Sequence, residues 1–156
     1  MYQFRLSLAA AAFLAVALSA AAPQSLAQAG SPLVSELHAL RAAAGCPALQ
    51  PDPALERVAQ AASQNTKDYL AFRTAAVPFT DPSPMLTTIG HPVGKSIMLS
   101  GYGRTVDDAV RGMQLHYRST KPDCSFVQFG TNLLDDDSGF YIATVVLATP
   151  GSEPDE

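Results

Sequence analysis

The chain has 156 residues and a formal net charge of −4. A chain of this length can form one domain with its own hydrophobic core. Its basic residues are scattered rather than clustered, so we expect no nucleic-acid partner, because binding to phosphates needs grouped Lys and Arg side chains.

The first 29 residues are predicted to form a secretory signal peptide. One basic residue, Arg5, precedes a run of mostly Ala and Leu, and small-residue cleavage sites follow that end at Ala27 or Ala29. This three-part layout is typical of signal peptides. The alternative is a transmembrane anchor, which needs about 20 apolar residues, whereas Pro23 interrupts this run. Cleavage would leave a secreted or cell-envelope protein that has no transmembrane anchor.

The mature chain is predicted to begin with two helices, in a domain that spans residues 30–149 and precedes a disordered acidic tail at 150–156. The helices are expected over 32–44 and 53–72, because each starts at a capping residue followed by proline. Apolar residues recur at helical spacing in both. On the second helix, the face expected to be buried carries Leu55, Val58, Ala59, Ala62, Thr66, Tyr69 and Leu70.

The second half of the chain is predicted to contain one more helix and the strands. Four prolines punctuate residues 74–94, which predicts a long surface loop. The third helix is expected to begin after a cap at Thr105. Strands are expected at 96–99, 126–133 and 140–148, with turns at 100–103 and 135–139. This order predicts an α+β fold with a small antiparallel sheet.

The chain has two cysteines, Cys46 and Cys124. In an oxidising compartment an even, minimal number of cysteines most simply indicates one disulfide. The alternative is a pair of free or metal-binding thiols, but no CxxC spacing supports a metal site. A bond between them would close a loop of 79 residues (124 − 46 + 1).

Four segments of the chain carry a family pattern: Leu37–Leu49, Asp52–Leu55, Ser100–Tyr102 with Thr105–Met113, and Asp123–Gly130. In order and spacing they resemble the CAP superfamily, the cysteine-rich secretory, antigen 5 and pathogenesis-related-1 group, whose domain is also called the SCP domain. The resemblance extends over about residues 33–148. It implies an α-β-α sandwich with a small antiparallel sheet, and it implies that the two cysteines are bonded, as expected in bacterial members with this pair.

The resemblance also suggests where a binding cleft would lie. Many CAP domains hold two histidines and two acidic residues in a cleft that can bind a divalent metal. Here Lys95 stands near the position of a family glutamate, and only His116 lies near a family histidine. His91, in the long loop, could approach the cleft from another direction. We therefore expect a cleft with His116, Lys95 and His91 that holds no metal, no cofactor and no complete catalytic set.

Two histidines also have simpler interpretations. His116 is either a remnant ligand or base of the cleft, or a half-exposed residue near the end of its helix, where the helix dipole stabilises it. His38 alternates with the apolar residues of the first helix and is expected to face solvent.

Three functions are open on these grounds. We favour a secreted binding or interaction module for a lipid, a peptide or a protein. The alternative is a hydrolase-like enzyme of the cell envelope that uses His116 with an acid such as Asp123, and a third is a structural secreted protein without a small ligand. The apolar residues of the long loop, which either line a groove or cover the core, are Val77, Phe79, Met85, Leu86 and Ile89.

Overall fold

The computed structural model describes residues 31–151, so the predicted signal peptide, residues 1–29, lies outside the described residues. The elements in that range are α1 (Pro32–Ala43), β1 (Gln50–Pro51), α2 (Pro53–Leu70), α3 (Ser83–Thr88), β2 (Val93–Gly103), α4 (Val106–Thr120), β3 (Gln128–Asp135) and β4 (Tyr141–Pro150). None of the described helices is long and apolar enough to cross a membrane.

The four strands form one sheet in the order β1-β3-β4-β2. The long strands β2, β4 and β3 pair antiparallel, as predicted, but the two-residue β1 pairs parallel with β3, so the sheet is mixed. The predicted α+β fold class is confirmed.

Two of the three long helices begin with the side-chain caps expected from the sequence. Asp52 Oδ1 accepts hydrogen bonds from the N–H groups of Ala54 and Leu55, at 2.7 and 3.2 Å. Thr105 Oγ1 accepts from the Asp108 N–H at 3.1 Å. These bonds satisfy N–H groups that have no partner within the helix, and they fix where α2 and α4 start.

Helices cover both faces of the sheet, because the side chains of the central strand alternate between two cores. Val145 and Leu147 of β4 join the core formed with α1 and α4. Val146 and Ala148 join the core formed with α2 and α3. The result is a three-layer arrangement in which β4 is buried on both faces.

The predicted turn at 100–103 is wrong, because these residues belong to β2. Their glycines serve close packing instead of a turn. Since α4 crosses directly over β2 here, a Cβ atom on Gly101 would overlap the carbonyl oxygen of Ala109. A sequence pattern of small residues therefore marks a helix–strand contact.

The long loop and the end of the last strand also differ from the prediction. The proline-rich stretch contains the short helix α3, with proline in its first turn, and β2 begins at Val93 rather than at 96. Strand β4 extends through Pro150, where the tail was predicted to begin, and residues 152–156 lie outside the described range.

Candidate functional site

A disulfide bond joins the end of α1 to the segment before β3. Cys46 and Cys124 lie with their Cα atoms 5.0 Å apart and their sulfurs bonded at 2.01 Å. The pairing expected from the cysteine count is confirmed.

A buried arginine reinforces this connection. Arg41, on α1, is 1% exposed, and its guanidinium donates to the carbonyl oxygens of Asp123 and Phe126 at 2.9 and 2.8 Å. Its Nε atom has no hydrogen-bond partner among the described atoms. Arg41 therefore fixes the backbone on both sides of Cys124, a role that its place on an amphipathic helix did not reveal.

Lys95 also contacts the segment around Cys124, to which Arg41 and the disulfide connect. Its Nζ lies 2.5 Å from Asp123 Oδ2 and 4.6 Å from the centre of the Phe126 ring. The hydrogen bond from Lys95, followed by those from Ser125, holds the pKa of the Asp123 carboxyl well below its usual range. We call Arg41, Lys95, Asp123 and the Cys46–Cys124 bond the disulfide junction.

His116 lies away from this junction, on α4. Its Nδ1 accepts a hydrogen bond from the Ser100 N–H at 3.1 Å. The neutral ring consequently carries its proton on Nε2, so neither nitrogen of that tautomer is a free base. Ser100 and Lys95 are five residues apart on β2, which corresponds to about 16 Å. Asp123, the acid suggested as a partner for His116, instead pairs with Lys95.

His91 lies in a third place, near the start of α2. Its Nε2 is 3.3 Å from Oδ2 of Asp52, and the same oxygen accepts from Gln128 Nε2 at 3.2 Å. The contact attaches the loop before β2 to the residue that caps α2. His116, Lys95 and His91 thus have separate partners, and no described hydrogen bond or ion pair joins any two of them.

Two predictions remain, which concern a metal site and the position of His38. Residues 31–151 contain no group of three or more His, Cys, Asp or Glu side chains that could hold a metal ion. His38 is half-buried, not solvent-facing as predicted, because its ring packs edge-on against Phe129 at 5.4 Å.

The apolar residues of the long loop mostly cover the core. Leu86 is fully buried, and Phe79 and Met85 pack against the α2 side of the sheet. Val77 and Ile89 are the exceptions, at 76% and 40% exposed. A groove built from all five residues is not present.

An open pocket of about 500 Å³ lies at the end of α2 instead. The two residues of α2 in its lining, Tyr69 and Leu70, were predicted to be buried but are 40% and 41% exposed. We call this lining, with its central aromatic residue, the Phe72 surface; it comprises Tyr69, Leu70, Phe72, Thr74 and Ala75.

Phe72 itself is 96% exposed and has a left-handed backbone conformation, with φ of +56°. The Arg73 N–H bonds the Asp68 carbonyl at 2.8 Å and the Phe72 N–H bonds the Tyr69 carbonyl at 3.0 Å. This is a Schellman motif with Phe72 at the position that is usually glycine. A bulky residue there costs about 1–2 kcal/mol, and Phe72 gains no packing in return.

Ion pairs neutralise the charges beside this surface. Arg73 Nη2 lies 2.7 Å from Asp68 Oδ1, and Lys67 Nζ lies 2.5 Å from Asp137 Oδ2. The surroundings of Phe72 therefore carry no unbalanced charge from these four residues.

The comparisons with known proteins place the fold but not a function. The chain matches no protein-family model and no curated protein sequence. The solved structure of an outer surface protein from Borrelia burgdorferi is similar, with a TM-score of 0.59 and 20% sequence identity, over 76% of this chain and 90% of that chain. At this identity the similarity shows a shared fold alone.

Proposed function

We propose that the chain is a secreted or envelope-associated interaction module of the CAP type, which binds an apolar partner through the Phe72 surface. The observation that carries the proposal is Phe72, which keeps a large apolar ring in water at a position where glycine would be unstrained. Exposed apolar patches of this kind mark binding sites in soluble proteins.

Three further observations support an extracellular role. The sequence carries a predicted signal peptide, and a disulfide such as Cys46–Cys124 persists in oxidising compartments. The protein with the similar fold is, by its name, an outer surface protein.

The geometry favours binding over the hydrolase alternative. Acid–base catalysis requires a base within hydrogen-bond reach of its partner groups. His116 has its Nδ1 occupied by a backbone N–H, and Asp123 is held by Lys95 and Ser125. Binding of a partner through the Phe72 surface does not require catalytic side chains to lie within hydrogen-bond reach of one another.

Site-specific photo-crosslinking in living cells tests the proposal. A photo-reactive amino acid replaces Phe72 in one variant and Leu115 in a control variant, since Leu115 is also exposed, at 61%, but lies on α4. We expect crosslinks to a lipid or a protein in several-fold higher yield from position 72. Equal yields from both positions, or none from either, would contradict an interaction through this surface.

A further inference from the structure

We infer that the partner of the Phe72 surface is a lipid bilayer with an electrically neutral headgroup layer, into which the Phe72 ring inserts. This inference rests on the proposed function and names the chemistry of its partner. It depends on the shape, the area and the charge of the surface.

The shape of the surface suits insertion into a soft medium. Phe72 is the most exposed of the large apolar side chains among residues 31–151, at 96%. Tyr69, at 40% exposed, adds a ring with a polar hydroxyl, and such amphipathic rings favour the boundary between water and lipid. A lipid layer deforms around a projecting ring, so it needs no preformed complementary pocket.

The area argues against a second copy of this chain as the partner. The exposed parts of Tyr69, Leu70 and Phe72 together amount to something on the order of 400 Å². A stable protein–protein interface buries about 800 Å² on each partner. Reversible attachment to a bilayer needs only a few inserted apolar side chains.

The charges argue for a neutral headgroup layer. Lys67 and Arg73 are the basic residues beside the surface, and each already pairs with an aspartate. The sequence without Arg5 has 9 basic and 14 acidic residues, hence a net charge near −5. The surface therefore has no unpaired basic residue of this pair to attract anionic lipid. Insertion of apolar side chains is what remains to provide the free energy of membrane binding.

The sequence offers a clean optical test because it contains no tryptophan. Protein is isolated from cells that express the full chain, and its N-terminus is established by intact mass. Phe72→Trp then carries a single indole at the surface, and Leu115→Trp carries one at the control position. With phosphatidylcholine vesicles we expect a blue shift of the emission for Phe72→Trp and none for Leu115→Trp.

Vesicle flotation measures the strength of the same contact. Phe72→Asn keeps a residue that tolerates the left-handed conformation but removes the ring. We expect it to lower the partition coefficient roughly 10- to 100-fold. Vesicles that also contain phosphatidylglycerol should bind the original chain no better than phosphatidylcholine alone.

Three results would overturn a neutral bilayer as the partner. These are no blue shift with vesicles, binding that requires the anionic lipid, and a blue shift that grows with protein concentration in the absence of lipid. If any of them occurs while crosslinking from position 72 persists, only the assignment of the partner as a neutral bilayer fails. If crosslinking is also absent, the proposed function fails with it.

Discussion

The disulfide junction and the Phe72 surface follow opposite principles. At the junction a covalent bond, a buried guanidinium and an ion pair fix a few residues on both sides of Cys124. At the end of α2 an aromatic ring is left in water with a strained backbone. The junction residues therefore serve stability, whereas the candidate for function is a large apolar side chain that is almost entirely exposed.

Removal of the disulfide should have the largest effect. In the variant that combines Cys46→Ser and Cys124→Ser, we expect the free energy of unfolding to fall by about 4 kcal/mol, because the bond closes a long loop in the unfolded chain. Denaturant titration of the oxidised protein and the variant measures this, with reduced original protein as the control. A loss below about 1 kcal/mol would show that the bond is not what holds the junction together.

Arg41→Met should have the next largest effect, about 2–3 kcal/mol, because two carbonyl groups lose their donor inside the protein. The methionine retains much of the apolar stem. Arg57→Met, on the exposed side of α2, is the matched control and should change stability little. Both free energies of unfolding are measured by denaturant titration. Similar losses in the two variants would show that Arg41 does not specifically stabilise the junction.

Substitutions of Phe72 should separate strain from side-chain chemistry. Phe72→Gly is expected to stabilise the fold by about 0.5–1 kcal/mol, because relief of the left-handed conformation outweighs the greater entropy of the unfolded glycine. Phe72→Asn should give a smaller gain, and Phe72→Val a loss, because a β-branched residue fits this conformation worst. Thermal unfolding ranks the series, and a loss with glycine would mean that the ring makes a stabilising contact.

The smallest expected effect concerns the pKa of Asp123. Lys95→Met should raise this pKa toward its usual value near 3.9, and the bonds from Ser125 should keep it partly lowered. Since the pKa is depressed in the folded state, the pair contributes stability above the unfolded value that is lost as pH falls through the folded value. An NMR titration of the carboxyl carbon checks this, with Arg118→Met as the exposed control.

The elements that depend on local chemistry were predictable from the sequence. Asp52 and Thr105 show where helices begin, because a cap acts within three residues. The acidic stretch between β3 and β4 is confirmed as a turn. The fold class follows from the order of these elements.

The features that depend on distant contacts were not predictable. From the sequence alone, Gly101 indicates a turn. In the structure the position requires glycine because α4 packs directly against it. Arg41 resembles a surface residue of a helix until the chain returns with Asp123 and Phe126. Phe72 carries no signal of a left-handed conformation, because glycine or asparagine normally marks that position.

The most direct test uses one preparation of Phe72→Gly for two measurements, thermal unfolding and binding to vesicles. We predict that the temperature of unfolding rises while the fraction bound to phosphatidylcholine vesicles falls, because the ring destabilises the fold and is the source of binding. Leu115→Gln should leave vesicle binding unchanged. If stability and binding fell together, or if binding were unaffected, the contrast between the disulfide junction and the Phe72 surface would be contradicted.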